Sequence, residues 1–349
     1  MPDTVKKGDE IAALSTLAPG EKPTLKTIAR LSGLAVPTIS RALNDAPDIG
    51  QATKDKVRRI AAEIGYVPNR AGVRLRTGRT NVISLVLSTE HDMMNHTARL
   101  ISSIAGGFRA TPFHMIMTPF FPDEDPLKPI KYVVETGSAD AVIFNQIKDH
   151  DPRVDYLLNK GFPFATHGRT LRAAEHAYYD FDNFAFARIA IERLVERGRR
   201  NILLIHAPAE HAYGRHMIDG AVTAAKDNGI QLVLSDAVTS DSLSTEVRAA
   251  VTRHLNEDPT IDGMVIGSTS ATMAAVSALE EWGAKVPEDI DIHSKEAIPF
   301  LSYFRPGILT LTEDVGAAGE FLARAAMRAV QSPHEPPMQE LEVPGRSAL

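Results

Sequence analysis

The chain has 349 residues, 44% of them hydrophobic, so it can bury the cores of two or three domains, and a disordered or fibrous protein is excluded. It contains no cysteine, which excludes disulfide frameworks, thiolate catalysis and cysteine-based zinc sites. The net charge of −6 is unevenly spread, because residues 22–80 carry twelve Lys or Arg against four Asp or Glu, a net charge of +8 that leaves −14 for the rest. A basic N-terminal region before an acidic body favours contact with nucleic acid.

The first residues, MPDTVKKGDEIAALSTLAPGEKP, lack the apolar core of a signal peptide. No run in the chain approaches the roughly 20 apolar residues that cross a bilayer. We therefore expect residues 1–22 to be a flexible tail and the protein to be cytoplasmic, with no membrane contact.

Residues 23–67 are predicted to form three short helices. Thr24 is a plausible N-cap for the first, and Gly33 is placed to end it. The second runs from about Val36 to Leu43 and the third from about Thr53 to Ile64, where apolar residues recur with helical spacing. Together they predict a compact helical domain.

The segment TLKTIARLSGLAVPTISRALND has the helix, glycine-containing turn and second helix of a helix-turn-helix. The second helix is expected to enter the major groove of DNA, where Val36 and Pro37 can touch thymine methyl groups. One turn later, Arg41 can donate two hydrogen bonds to guanine O6 and N7, while Thr38 and Ser40 suit phosphates or bases. The alternative is a small helical bundle with a solvated polar face.

Residues 68–80 are predicted to be a hinge helix and linker. In the sequence PNRAGVRLRTGRT, a leucine surrounded by arginines fits an apolar wedge inserted between base steps of the minor groove. The alternative is an ordinary interdomain linker. The candidate DNA-contacting residues are Thr24, Val36, Pro37, Thr38, Ser40, Arg41, Asn44, Thr53, Tyr66, Asn69, Arg70, Arg74 and Leu75.

From residue 81 onward, short β-branched runs alternate with helical stretches, which predicts an α/β fold of parallel strands and crossover helices. About nine strands exceed one Rossmann-like unit, and a break near residues 176–182 indicates two subdomains. We place the first at about 81–179 plus 311–336 and the second at about 180–309 plus 338–346. A ligand is expected in the cleft between them.

Polar residues at strand ends are the candidates for binding an effector, because an open α/β sheet binds ligands at its carboxyl edge. Three of the five are Arg or Lys, which suit anions, and the sequence therefore predicts a sugar derivative that carries an acid or phosphate. No cofactor and no metal site are expected. The five candidates are His167, Arg169, Arg215, Thr269 and Lys295.

Two other classes of protein could use the same α/β body. An enzyme is disfavoured because the chain contains no GxGxxG, GxxxxGK[ST], GxSxG or HExxH motif. A secreted solute-binding protein is disfavoured by the basic N-terminal region and by the composition of the first residues.

The helix-turn-helix segment, the third helix and the sequence GYVPNRAGVRL resemble the LacI/GalR family of bacterial transcriptional regulators, over the whole chain from about Thr24. The resemblance implies a homodimer on a palindromic operator, insertion of Leu75 at the operator centre, and a periplasmic-binding-protein-like body whose effector moves the hinges. It implies a repressor of carbohydrate or related metabolism.

The sequence departs from the family at two kinds of position. Ala35 replaces the usual serine before the recognition helix and forfeits an N-cap contact worth about 0.5–2 kcal/mol. In the body, Met217 replaces the usual arginine, Ser268 and Thr269 replace an Asn-Asp pair, and residues 294–296 replace a Gly-Tyr-Asp stretch. Effector contacts therefore cannot be transferred from the family.

Overall fold

The structure is a computed structural model that describes residues 22–67, 78–88, 94–121 and 123–345. It divides between Thr80 and Asn81 into two compact units, an N-terminal head and a body. Within the described ranges, no helix has the length and apolar character that crossing a membrane requires.

The head is a three-helix unit closed around a small apolar core. Its first helix begins at Thr24, whose hydroxyl accepts a hydrogen bond from the Thr27 N–H at 3.2 Å, and ends at Gly33 in the left-handed conformation with φ 72°. Leu25 and Ile49 pack against the core. The helices are α1 Leu25–Ser32, α2 Val36–Leu43 and α3 Gln51–Glu63, and the buried core residues are Ile28, Ile39, Ala42, Val57 and Ala61.

Helix α2 has the predicted bounds, and Ala35 makes no side-chain capping bond at its N-terminus. Pro37 lies in its first turn, where the fixed φ of proline suits a helix start. Helix α3 begins at Gln51, two residues before the predicted start, because Gly50 takes the extended N-cap conformation.

The body contains two parallel sheets with helices between their strands. The strands are β1 Val82–Ser88, β2 His114–Phe120, β3 Ala141–Phe144, β4 Phe164–His167, β5 Ala177–Phe181, β6 Asn201–Ile205, β7 Gln231–Leu234, β8 Gly263–Ile266, β9 Asp291–Glu296, β10 Leu309–Thr312 and β11 Gln339–Glu342. The helices are α4 Met94–Gly107, α5 Leu127–Thr136, α6 Pro152–Lys160, α7 Asn183–Glu196, α8 Ala212–Asn228, α9 Ser244–Glu257, α10 Thr269–Trp282, α11 Leu301–Phe304 and α12 Val315–Gln331. The strand orders are β11-β5-β4-β3-β1-β2 and β10-β9-β8-β6-β7.

These two sheets confirm the predicted fold class, but the division between subdomains differs from the prediction. Strand β5 lies within the predicted break and belongs entirely to the first sheet. Strand β11 pairs in parallel with β5, so the tail assigned to the second subdomain completes the first sheet. Strand β10 lies in the second sheet, although residues 311 and 312 were assigned to the first subdomain. The tail pairs with β5 because β5 otherwise exposes an unpaired edge.

The chain passes from the first sheet to the second after β5 and returns after β10, where α12 packs against the first sheet. Glu342, the last residue of β11, accepts hydrogen bonds from both of the connections between the sheets. Its backbone oxygen accepts from the Asp182 N–H at 2.8 Å, and its carboxylate accepts from the Asp314 N–H at 3.0 Å. The carboxyl ends of β4, β5, β9 and β10 therefore border one cleft.

Candidate functional site

The exposed face of α2 is the candidate DNA-binding surface. Ile39 and Ala42 point into the core of the head, whereas Pro37 and Arg41 are exposed and Val36 is half-buried. A helix with one anchored face and one free face near its N-terminus has the geometry that major-groove reading requires.

The other residues of the head that are predicted to contact DNA differ in solvent exposure and in whether their side chains already bond within the head. Thr38, Ser40 and Thr53 are half-buried, and Asn44 is exposed with its side-chain amide donating to the Ser40 carbonyl at 2.5 Å. Thr24 is occupied as the cap of α1, so its hydroxyl is already bonded within the head.

Tyr66 also has a structural role in the head. It is half-buried and packs against the head core, and burial raises the pKa of its phenol. The four predicted hinge residues, Asn69, Arg70, Arg74 and Leu75, lie outside the described residues.

The head keeps its positive charge at the surface. One acidic residue is compensated internally, because Asp45 pairs with Lys54 at 3.1 Å and with Arg58 at 2.9 Å. Basic side chains remain exposed on α1, α2 and α3, and electrostatic attraction to phosphates is expected there. They are Lys26, Arg30, Arg41, Lys56, Arg58 and Arg59.

The candidate effector site is a cleft of about 260 Å³ in the body. From the first sheet, residues 145–147 after β3, 167–168 at the end of β4 and 180–181 in β5 line it. From the second sheet, residues 267–270 after β8 and 295–297 around the end of β9 line it. The cleft thus lies at the carboxyl ends of strands, where parallel α/β folds bind ligands.

A more open depression of about 690 Å³ runs along α9. Its arginines are already paired, Arg248 with Glu281 and Arg253 with Asp236. Because it is a surface groove of mutually compensated charges, we place the effector in the cleft.

Glu313 is the centre of the polar cluster in the cleft. Its carboxylate is almost fully buried, with Lys295 Nζ at 2.6 Å from Oε2. His96 Nε2 lies 3.2 Å and His167 Nε2 3.0 Å from Oε1. Burial alone would raise the pKa of this carboxyl, but Lys295, His96 and His167 outweigh it and hold the pKa well below its usual value. Glu313 is therefore ionised and acts as a hydrogen-bond acceptor.

Three of the five predicted effector residues, His167, Thr269 and Lys295, line the cleft, whereas Arg169 and Arg215 are not among its lining residues. All four basic side chains of the set lie against carboxylates. His167 and Lys295 contact Glu313, Arg169 Nε lies 3.2 Å from Asp180 Oδ2, and Arg215 pairs with Asp149. In the structure, the positive charges of this set are therefore compensated by carboxylates.

The cleft instead offers hydrogen-bond acceptors. Asn145 is buried, and its Oδ1 has no hydrogen-bond partner among the described residues. Asp180 is buried beside it in the lining, and burial raises the pKa of its carboxyl to about 6, although Arg169 opposes the shift.

Sequence reasoning missed His96, Asn145, Asp180 and Glu313. Asn145, at the end of the AVIF run, and Glu313, after LTLT, obey the strand-end rule that selected the other candidates, so the signal was present. Asp180 lies inside a strand that was not predicted, and His96 lies on α4, where nothing in the sequence distinguishes it.

His96, His167 and Glu313 are also close enough to hold a metal ion, with ligand atoms within 4.8 Å of one another. Two features disfavour a divalent cation there. The Lys295 ammonium already neutralises the same carboxylate, and His96 Nδ1 has no hydrogen-bond partner among the described residues, whereas a ligating imidazole usually donates from its second nitrogen. The arrangement suits hydrogen bonding to an organic ligand.

A parallel two-sheet body with a polar cleft, preceded in the chain by a helix-turn-helix head, defines a ligand-responsive DNA-binding protein. Comparison with known proteins agrees: residues 24–69 match the model of bacterial regulatory proteins, lacI family, and residues 191–348 match that of the periplasmic binding protein-like domain. The chain belongs to the lacI family and is a transcriptional regulator rather than an enzyme.

Relatives and solved structures cover nearly the whole chain. The HTH-type transcriptional regulator AglR of Rhizobium meliloti (strain 1021) is 29% identical over 325 residues, 91% of this chain and 90% of AglR. A CelR–cellobiose complex is 23% identical with a TM-score of 0.67, covering 93% of this chain and 98% of the other. The lac repressor dimer bound to operator and the anti-inducer ONPF is 18% identical with a TM-score of 0.80, covering 93% and 97%. The structural likenesses confirm the fold.

Proposed function

We propose that the protein is a repressor that acts in the cytoplasm as a homodimer, binds a pseudo-palindromic operator through α2, and is controlled by a neutral sugar bound in the cleft. The observation that carries the choice of effector is that the basic side chains lining the cleft, His96, His167 and Lys295, all contact the Glu313 carboxylate. An acidic or phosphorylated sugar, which the cations at strand ends predict, would have to compete with that carboxylate for its cationic partners.

A neutral sugar fits because its hydroxyl groups can donate hydrogen bonds to the acceptors of the cleft, whereas a phosphate offers chiefly acceptors. Asn145 Oδ1 is the buried acceptor for which such a donor is needed, because an unpaired buried polar group costs about 1–3 kcal/mol. The Asp180 carboxylate in the same lining is a second acceptor, although it already contacts Arg169. The volume of about 260 Å³ lies near the lower end of the range for small-molecule sites and suits a mono- or disaccharide. The description of the CelR structure as a cellobiose complex supports the same class of ligand.

Association of two copies is supported by apolar side chains that the body exposes. Ile116 and Met117 lie on β2, an edge strand of the first sheet. Tyr303 lies in α11, and Phe300 immediately precedes that helix. The lac repressor structure is described as a dimer on operator. In the proposed dimer, the cleft of each copy sets the separation of the two hinge segments, and effector shifts this equilibrium by its differential affinity for the two states.

The effector is tested by a panel of neutral sugars and matched anions. Glucose, galactose, maltose, cellobiose, melibiose, sucrose and trehalose are compared with glucose 6-phosphate, gluconate and galacturonate by thermal shift and calorimetry. We expect a neutral sugar to stabilise the protein, by about 2.7 kcal/mol at a hundred times its Kd. Asn145→Ala should lose the response, whereas Asn256→Ala on exposed α9 should keep it. A response confined to the anions would contradict the proposal.

The DNA-binding half is tested at Arg41. A 20-base-pair duplex is selected from a randomised pool by the wild-type chain, and Arg41→Ala is measured on it by fluorescence anisotropy. Loss of a bidentate contact to guanine is expected to cost about 1–3 kcal/mol and to relax base preference at one position of each half-site. Unchanged affinity and unchanged preference would show that α2 does not read the operator.

A further inference from the structure

An exposed ion pair joins α2, the helix proposed to read DNA, to the turn that follows it. Arg41 Nη2 donates a hydrogen bond to Asp48 Oδ2, and the two side chains are 58% and 45% exposed. Among the described residues, neither the guanidinium of Arg41 nor the carboxylate of Asp48 makes a second ion pair or side-chain hydrogen bond. The contact joins the residue proposed to read guanine to a residue seven positions later, in the turn that follows α2.

Asp48 is held in place by the turn that follows α2. The turn begins on Arg41 itself, whose carbonyl accepts from the Ala46 N–H at 3.0 Å, and continues with the Ile49 N–H donating to the Ala46 carbonyl at 3.2 Å. Ile49 packs against the core of the head. The carboxylate is therefore carried by a backbone that is fixed on both sides, unlike a carboxylate on a free loop.

Asp48 differs in this respect from Asp45, the other acidic residue of the turn. Asp45 contacts Lys54 and Arg58, both on α3, and so ties the turn to the third helix. Within the described part of the chain, the Asp48 carboxylate pairs with Arg41 of α2 alone. An acidic residue near the expected phosphate backbone should weaken DNA binding by repulsion, so its placement on Arg41 requires an explanation.

We propose that Asp48 is a positioning residue that orients the Arg41 guanidinium for guanine and stays bonded to it in the complex. This inference rests on the proposed function, operator binding by α2. A guanidinium has five N–H groups in a planar fork, so one N–H of Nη2 can remain on Asp48 while another on Nη2 and one on Nη1 face guanine O6 and N7. A side chain that is already held in one orientation loses less conformational entropy when it binds. The planar edge of the guanidinium also matches the two acceptors of guanine better than it matches a single phosphate oxygen.

Positioning and simple repulsion predict opposite changes in the affinity for operator DNA when Asp48 is replaced by asparagine. If Asp48 only repels phosphates, its neutralisation raises affinity for every duplex. If Asp48 positions Arg41, neutralisation lowers affinity for the operator and raises it for unrelated DNA.

The experiment uses the full chain, with the selected 20-base-pair duplex and a scrambled duplex of the same length as probes. Asp48→Asn is expected to lower operator affinity about three- to fivefold, the upper part of the range for an exposed ion pair, and to raise affinity for the scrambled duplex. The preference for guanine at the position read by Arg41 should shrink. Asp55→Asn is the matched control, because Asp55 is an exposed acid of the same head whose side chain bonds, among the described residues, to Gln51 alone. It should raise both affinities slightly.

The role is separated from a general effect on folding by repeating the substitution in an Arg41→Ala background, where Asp48→Asn should behave like Asp55→Asn. Equal rises on both duplexes for Asp48→Asn in the wild-type background would overturn the inference and leave the proposed function standing. Failure of the wild-type chain to enrich any sequence from the pool would overturn the proposed function, and this inference with it.

Discussion

Replacement of Glu313 by alanine is expected to lower the free energy of unfolding of the body by about 3–5 kcal/mol, the usual cost of removing one partner from a buried ion pair. The substitution leaves the Lys295 ammonium, whose side chain is 14% exposed, without its carboxylate. It also removes the acceptor of His96 and His167, which lie on the side of the first sheet, while Lys295 comes from β9 of the second. The cluster therefore ties the two sheets together at the base of the cleft.

The loss is measured by urea unfolding of the full chain followed by far-ultraviolet circular dichroism. Glu281→Ala is the matched control, because Glu281 pairs with Arg248 at the surface with its side chain 66% exposed, and such pairs contribute about 0–1 kcal/mol. A loss of less than about 1 kcal/mol for Glu313→Ala, equal to the control, would show that the cluster is hydrated and does not hold the sheets together.

Asp180→Asn is expected to act in the opposite direction, stabilising the free protein while weakening sugar binding. Burial raises the pKa of the Asp180 carboxyl from 3.8 to about 6, so the folded state binds this proton more tightly than the unfolded state. The contribution of Asp180 to the free energy of unfolding therefore falls as pH rises from about 4 through 6, by at most about 3 kcal/mol, since one pKa unit corresponds to about 1.4 kcal/mol. Asparagine removes this penalty.

The two properties are measured separately. Urea unfolding at pH 5 and pH 8 should show the variant more stable than the wild type, with the larger difference, about 1–3 kcal/mol, at pH 8. Arg169, the partner of Asp180, is 26% exposed and can be hydrated when it loses the carboxylate. Calorimetry should show weaker binding of the responding sugar. Asp236→Asn, at a surface pair with Arg253, serves as the control. A difference from wild type that does not grow with pH would refute the role assigned to Asp180.

The sequence predicts the head closely because every signal there is local. Cap residues, helical periodicity and a left-handed glycine act over three or four residues, and α2 begins and ends where they place it. In the body, β-branched runs reveal most strands, but β5 has the sequence AYYDF, whose acid and aromatic residues do not form an apolar run. Its burial comes from packing between β4 and β11, which no local pattern records.

The location of the cleft could also be predicted, whereas its electrostatics could not. Strand ends identified His167, Thr269 and Lys295, but the charge of a site depends on which side chains meet. Lys295 meets Glu313 because β10 pairs in parallel with β9, and no local pattern records that pairing. Selecting the cations at strand ends while passing over Asn145 and Glu313 led to the prediction of an anionic effector. The ion pairs of the folded cleft are the reason for proposing an uncharged effector instead.

The central claim, that one chain couples DNA binding to a sugar in the cleft, is tested most directly by titrating the responding neutral sugar into the complex of the full chain with its selected duplex. Fluorescence anisotropy at fixed salt should show a shift in DNA affinity of about 5- to 150-fold, the usual range of allosteric coupling, and calorimetry should show the reciprocal shift in sugar affinity when DNA is bound. An unchanged DNA affinity at saturating sugar would contradict the account.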